Sequence, residues 1–461
     1  MEIFGLSING QKIAFPSSNK YSANKVDLLT GPNGSGKTRT LSVLAEEFSG
    51  KMFSSQRRGQ APNDIQIYLK DNAPPSKIIA QTYSPFSRFP PSISDVARSS
   101  LTSVYAEGKR RGTYYTCLGL WRTRRPNIND VSKRALEESI FNLSESPECA
   151  ALIAKVMQNI GFEDKFVLIY KLERQIDRLI LANRSGGAGA ILNELNLLTP
   201  YDTLSPLRRE FDRSDPIQLS ELLAVAFNVL GDLQVGDRHY QAEFGSRSRK
   251  STYDYAIIQA LSLLRQLGML RLVSCDLTTF NGYSFDVVQA SSGQQQMICS
   301  IMELASSLEN DTLVLIDEPE LSLHPQWQQM YLDNLHAALE PFRGCHVLVA
   351  THSPLVVQRG LQSGVGVIQL GADDHIVPTP STSVEGALLN VFDTPVSDSV
   401  YLANQIFSAV TKAEEGGERE KINSRQELQR LANIYASSPI DSSKTLHLIH
   451  QAIDLLESEG R

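Results

Sequence analysis

Apolar and polar positions change rhythm several times along the chain. In the first 30 residues, short alternating runs predict strands over 2–7 and 12–15, joined at Asn9-Gly10, a dipeptide suited to a tight hairpin. Lys25-Val26-Asp27-Leu28-Leu29 predicts a strand running into a glycine-rich segment, and residues 38–48 carry the apolar spacing of a helix. Lys77-Ile78-Ile79-Ala80 predicts another strand, which ends at Gln81 ahead of the loop Ser84-Pro85-Phe86. From about Pro126 to Gly268, amphipathic stretches at 151–160, 166–181, 219–230 and 253–267 predict a mostly helical block. Ser185-Gly186-Gly187-Ala188-Gly189 reads as a loop between two of its helices.

Strand patterning returns at 270–273 and 283–288 around Asn281-Gly282. Residues 312–316 and 346–350 are short, apolar and rich in β-branched side chains, as parallel strands buried on both faces are. Residues 365–370 with Ile376-Val377 predict a last hairpin-like piece, and the polar remainder predicts helices with a mobile loop over 412–421. The simplest organisation is one split α/β core: a head at 1–125 and 269–380, a helical insertion at 126–268, and a helical tail at 381–461.

The chain has 461 residues, with 44 Lys plus Arg against 51 Asp plus Glu and a formal charge of −7. That balance argues against a basic coat for nucleic acid, so any such contact needs a local patch. Five cysteines form neither a disulfide framework nor a zinc pattern, which fits a reducing compartment. No signal peptide and no apolar run of membrane-spanning length is apparent, so the expectation is a cytoplasmic protein that does not engage a membrane.

Gly31-Pro32-Asn33-Gly34-Ser35-Gly36-Lys37-Thr38 fits the phosphate-loop pattern, and it lies between a predicted strand and a predicted helix. Glycines let consecutive N–H groups turn inward around a phosphate, and the helix start adds partial positive charge. Lys37 can reach the β- and γ-phosphates of ATP, and Thr38 can ligate Mg²⁺. Leu313-Val314-Leu315-Ile316-Asp317-Glu318-Pro319 is an apolar strand ending in paired carboxylates. Asp317 suits the Mg²⁺ shell and Glu318 suits polarising the attacking water.

Ser291-Ser292-Gly293-Gln294 opens a helix shortly before that strand. It can serve as a simple N-cap, or as an anion site for a nucleotide held by a second copy. His352 ends another apolar strand, where it can hydrogen-bond a γ-phosphate. Gln81 can bridge Mg²⁺ and water, or be an ordinary polar residue at a strand end.

In this order the elements resemble the ABC-type ATPase superfamily, in its SMC-like and OLD-like branch, over roughly residues 1–120 and 265–380. Glu318-Pro319-Glu320-Leu321-Ser322-Leu323-His324-Pro325 and Thr351-His352-Ser353-Pro354 look like the bacterial defence ATPases of that branch. The compact head with a helical insert and short tail is similar to the PtuA family of the Septu anti-phage system, with the AriA family of PARIS a close competitor. The resemblance implies a P-loop head whose mixed sheet carries N-terminal antiparallel strands. It implies head-to-head dimers that close over two ATP molecules, each pocket completed by the partner's signature serine. It also implies a separate nuclease subunit, of HNH type in Septu. An OLD-like Toprim nuclease is not expected, because only 109 residues follow His352 (461 minus 352) and no buried-strand run lies beyond Val377.

Lys109, Arg110, Arg111, Arg122, Arg124 and Arg125 bracket aromatic residues and can follow a nucleic-acid backbone, or simply be solvated loop charge. Arg247, Arg249 and Lys250 form another such cluster. Two alternatives stay open: a recombination or repair ATPase acting directly on DNA, and a nucleotide-dependent assembly switch that does not hydrolyse. A transporter motor fits the helical insert poorly. His324 and Trp327 suit a role in shaping the dimer contact.

Overall fold

In the computed structural model, the residues described are 1–16, 23–49, 65–84, 88–90, 114–119, 132–133, 135–140, 155–197, 206–231, 233, 235–245, 252–371, 383–397, 399–437 and 443–458. The chain is an α/β protein built around a six-stranded, wholly parallel sheet. Its strands are β3 (Lys25–Thr30), β5 (Lys77–Thr82), β6 (Tyr115–Leu118), β11 (Thr312–Asp317), β12 (His346–Ala350) and β13 (Gly366–Gln369). Their order is β13-β3-β12-β11-β5-β6, so β12 and β11 from the second half of the sequence lie between β3 and β5 from the first.

Both faces of this sheet are covered, which explains the unbroken apolar runs. Leu313, Leu315, Leu348 and Ala350 pack with Leu41 and Leu44 of helix α1 (Lys37–Ser49). The alternate residues Val314, Ile316, Val347 and Val349 face the opposite core, which includes α6 (Ser292–Ser307) and α7 (Pro325–Leu339).

The N-terminal strands do not join the parallel sheet. β1 (Ile3–Ile8), β2 (Gln11–Ala14) and β4 (Ile65–Leu69) form their own antiparallel sheet, ordered β2-β1-β4. Asn9 and Gly10 both take positive φ, as the hairpin reading requires.

The interval read as helical contains sheet as well. β7 (Phe162–Leu172) and β8 (His239–Gly245) pair with β9 (Leu270–Thr279) and β10 (Ser284–Asp286) in the order β10-β9-β7-β8. The stretch 166–181 is therefore a strand followed by the start of helix α2 (Gln175–Asn196). Phe166, Leu168, Tyr170 and Leu172 are buried at period two, and that short alternation is lost when it is averaged with the following helix. The glycine-rich stretch expected as a loop is confined to a break at Gly186 and Gly187 inside α2.

Helices α3 (Pro206–Arg213), α4 (Pro216–Val229) and α5 (Thr252–Gln266) cover this region, while α8 (Pro354–Gln362) and α9 (Val384–Val391) lead out of the head. A last bundle, α10 (Val400–Glu415), α11 (Glu418–Ala436) and α12 (Ser443–Ser458), encloses a separate apolar core around Leu428, Tyr435 and Ile449. The charged segment 412–421 is helical except at Gly416-Gly417, where the Glu420 carboxylate accepts the Gly417 N–H at 3.0 Å. Its charges lie on solvated helix faces and so do not mark a loop. Among the described residues, no helix is long and apolar enough to cross a membrane. Cys117, Cys275, Cys299 and Cys345 are buried, and Cys149 lies outside the described residues.

Candidate functional site

The loop between β3 and α1 is shaped by close approach. A Cβ on Gly31, whose φ is +138°, would lie 2.4 Å from the Leu370 carbonyl oxygen, so only glycine fits without displacing backbone. Pro32, Asn33 and Gly34 are exposed at the mouth of the loop, and Ser35 and Gly36 are half-buried beneath them. Lys37 is buried at the helix start, and its Nζ donates to the Gly31 carbonyl (2.8 Å), the Pro32 carbonyl (3.0 Å) and Ser35 Oγ (3.4 Å). Burial lowers the ammonium's pKa, opposed by the charges of Glu318, Asp317 and Glu320. A desolvated cation of this kind suits an anionic ligand.

The carboxylates come from β11, two places across the sheet from β3. Thr38 Oγ1 donates to Asp317 Oδ1 at 3.0 Å. Burial pushes the Asp317 carboxyl up to about 6, against the pull of the Thr38 hydroxyl and helped by the charge of Glu318. A hydroxyl and a desolvated carboxylate held together fit the small share of a Mg²⁺ shell that a protein supplies beside phosphate and water. Thr38 and Asp317 would hold such an ion. No cluster of three or more His, Cys, Asp or Glu side chains able to hold a metal unaided occurs among the described residues. Arg88, between β5 and β6 in the sequence, is close enough for its charge to oppose the rise at Asp317.

Glu318 follows with φ +49°, a left-handed conformation unusual for a residue bearing a side chain. Its N–H donates to the Ala350 carbonyl at 2.9 Å, which fixes the turn against β12. His352, just past β12, places Nε2 3.9 Å from Glu318 Oε1. Burial and the Lys37 charge lower the imidazole pKa, partly offset by Glu318, so the neutral ring is favoured at neutral pH. The fold thus brings together Lys37, Thr38, Asp317, Glu318 and His352 at the C-terminal ends of three adjacent parallel strands, where open α/β sheets place their ligand crevices.

Gln81 is not in that group. It pairs in register with Ile316, and Thr82 pairs with Asp317, so Gln81 points to the face away from α1. Its side chain is fully buried, and Nε2 donates to the Ser300 carbonyl of α6 at 2.8 Å. The metal-bridging place expected of it is not the one it occupies here, because strand alternation turns it from Thr38 and Asp317 toward α6.

Ser291-Ser292-Gly293-Gln294 does cap α6. Ser291 Oγ accepts the Gln294 N–H at 3.3 Å, and Gln294 Oε1 accepts the Ser291 N–H at 3.0 Å, a reciprocal capping box. Ser291 and Ser292 are nonetheless exposed, so this helix start with its partial positive charge faces outward. Gly293 is pressed against the turn beyond β11: a Cβ there would lie 2.6 Å from the Ser322 carbonyl oxygen and 3.0 Å from the Trp327 ring. Gln296 Nε2 donates to the Pro319 carbonyl at 2.9 Å. His324 caps α7 by accepting the Gln326 N–H at 3.3 Å.

Sequence reasoning did not single out Arg88, Gln296 or Glu320. Glu320 sits inside the stretch Glu318–Pro325 and Gln296 two residues beyond Ser291–Gln294, and only the packing distinguishes them from their neighbours. Lys109, Arg110, Arg111, Arg122, Arg124 and Arg125, with Arg247, Arg249 and Lys250, lie outside the described residues.

The chain is 32% identical over 127 residues to "Retron Vc95 probable ATPase" of Vibrio cholerae serotype O1 biovar El Tor, covering 25% of this chain and 24% of that protein. It is 33% identical over 87 residues to "Retron Ec83 probable ATPase" of Escherichia coli, covering 16% of each chain. It is also 30% identical over 117 residues to "Protein ea59" of Escherichia phage lambda, covering 23% of this chain and 22% of that protein. The chain spans about a quarter or less of the length of these curated relatives. A family model matches residues 28–358, from the strand that feeds the phosphate loop to the helix after His352, which is most of the chain. The chain belongs to the family described as "AAA domain, putative AbiEii toxin, Type IV TA system".

Proposed function

We propose that this protein binds and hydrolyses ATP with Mg²⁺ as the ATPase subunit of a bacterial anti-phage complex, in which two heads close over nucleotide and govern a separate nuclease. The observation that carries the hydrolytic part is the meeting of Lys37, Thr38, Asp317, Glu318 and His352 at the C-terminal ends of β3, β12 and β11. Lys37 neutralises β- and γ-phosphate oxygens, and Mg²⁺, when bound, spreads the remaining charge. Thr38 and Asp317 orient that cation. Glu318 accepts a proton from the attacking water, and His352 hydrogen-bonds the transferred phosphoryl group from the opposite side. The outward-facing Ser291 and Ser292 support use of the α6 start on the nucleotide of a second copy.

The ATPase names of two relatives support the activity. The defence setting, with a Septu-like arrangement and an HNH-type nuclease, rests on the motif likeness of 318–325 and 351–354. Phosphate release from Mg²⁺·ATP is the test. Lys37→Ala loses tight nucleotide binding. Glu318→Gln binds ATP, hydrolyses it roughly 100-fold or more slowly, and accumulates a dimer by light scattering. Full turnover in Lys37→Ala would remove the site, and wild-type rates in Glu318→Gln would remove the base. Co-purification with a nuclease encoded beside it tests the partner.

A further inference from the structure

The turn after β11 carries a second carboxylate that the chemistry above leaves unused. Glu320 reaches from that turn to the end of β12, where its Oε1 accepts the main-chain N–H of His352 at 2.5 Å. The other oxygen, Oε2, is buried without a hydrogen-bond partner. Burial raises the carboxyl pKa, opposed by hydrogen bonds from the His352 backbone and the Thr351 side chain. A buried carboxylate with an orphaned oxygen is expensive to keep.

Its position suggests a role. The β11–β12 ladder ends at the pair Asp317 and Ala350, and helix α8 starts only at Pro354 with Ser353 as its cap. Between these fixed points two hydrogen bonds cross the gap in opposite directions: Glu318 N–H to the Ala350 carbonyl, and His352 N–H to Glu320. They bracket the place where the Glu318 carboxylate and the His352 imidazole face each other. The turn holding Glu320 is itself closed by Leu321 N–H to the Glu318 carbonyl (3.3 Å) and Leu323 N–H to the Glu320 carbonyl (3.0 Å).

We propose that Glu320 is a positioning residue for nucleotide hydrolysis: its carboxylate clamps the His352 backbone and so sets the imidazole against the Glu318 carboxylate. This rests on reading the site as hydrolytic. A charge-assisted hydrogen bond of this kind is stronger than a neutral one and confers geometric precision on what it holds. Glu320 touches neither nucleotide nor water in this scheme, so its loss spares ground-state binding and slows turnover.

The test compares Glu320→Ala and Glu320→Gln in the full-length protein by steady-state ATP hydrolysis, equilibrium binding of a non-hydrolysable ATP analogue, and melting midpoint. Glu320→Ala is expected to lower kcat ten-fold or more, about 1.4 kcal/mol in the barrier, with analogue affinity and KM within two-fold of wild type. Glu320→Gln keeps an oxygen that accepts the same N–H and is expected to restore kcat to within about three-fold of wild type. Wild-type kcat in Glu320→Ala overturns the proposal. So does a loss of binding and turnover in parallel with the melting midpoint, without rescue by glutamine, since that marks a brace for the fold. If the wild-type protein releases no phosphate, the hydrolytic reading itself fails. The clamp is then decided by a crystal structure of Glu320→Ala, where a His352–Glu318 separation unchanged from 3.9 Å overturns it and a displaced imidazole supports it.

Discussion

Replacing Asp317 by Asn separates what this residue does for the fold from what it does for the ligand. Its carboxyl is 3% exposed and is pushed from 3.8 up to about 6, chiefly by burial. A carboxyl whose pKa is higher in the folded state favours folding while it stays protonated. That advantage is full below about pH 4 and is lost as pH rises through about 6. A rise of about two units corresponds to about 3 kcal/mol. In the nucleotide-free protein, Asp317→Asn should therefore be more stable than wild type by up to about 3 kcal/mol at pH 8, about 1.5 kcal/mol at pH 5, and little at pH 4. The amide oxygen can still accept the Thr38 hydroxyl, so the local hydrogen bond survives. Urea midpoints at the three pH values measure this, and Mg²⁺·ATP should reverse the order by stabilising wild type alone. Equal stability at pH 8, or a gap that does not shrink on acidification, would refute the picture of a carboxylate kept dry and strained until a cation arrives.

Gly293→Ala pushes a methyl group against the Ser322 carbonyl and the Trp327 ring, so it should displace the α6 start and weaken ATP-dependent association far more than ATP binding. Sedimentation with and without nucleotide checks this, and unimpaired association removes the α6 start from the interface. At the other end of the sheet, Asp27 accepts from the buried His346 ring at 2.9 Å and pairs with Lys25 at 3.3 Å. Asp27→Ala leaves the buried His346 Nε2–H without an acceptor, while Lys25 keeps Glu2 at 3.3 Å and the Ile3 carbonyl at 3.2 Å, and should destabilise the head by roughly 1–3 kcal/mol, read as a lower urea midpoint, with nucleotide affinity per folded molecule unchanged. His346 Nδ1 accepts the Ile3 N–H, so the ring is neutral with its proton on Nε2. Burial holds its pKa below the usual range, so stability is present above about pH 6.5 and declines as pH falls below it.

The phosphate loop, the carboxylate pair and the histidine strand were legible because each combines an apolar run with chemistry at its C-terminal end, and each signal is local. The spatial order was not. Nothing in the linear pattern states that β12 lies between β3 and β11, yet that insertion brings His352 to Glu318. Gln81 was misplaced for a related reason, since a residue at a strand end can face either side and the register with Ile316 decides it. β7 was hidden because half of its residues face a covered surface and the following helix continues the apolar content without a break. The tail segment 412–421 misled in the opposite direction, since charge and glycine suggested a loop where capping needs only Gly416-Gly417. Glu320 carried no separable signal, because a carboxylate beside Glu318 gains meaning only from the backbone it reaches across the fold.

The contact of Gly293 with Ser322, joined by Gln296 holding the Pro319 carbonyl, makes the rim serines and the Glu318 turn a single mechanical piece. Both links run from the first two turns of α6 to the segment directly after Asp317, so the rim and the carboxylate turn are neighbours without the sheet between them. A neighbour seated there would thereby bear on the turn that carries Glu318, the carboxylate proposed to accept the water's proton.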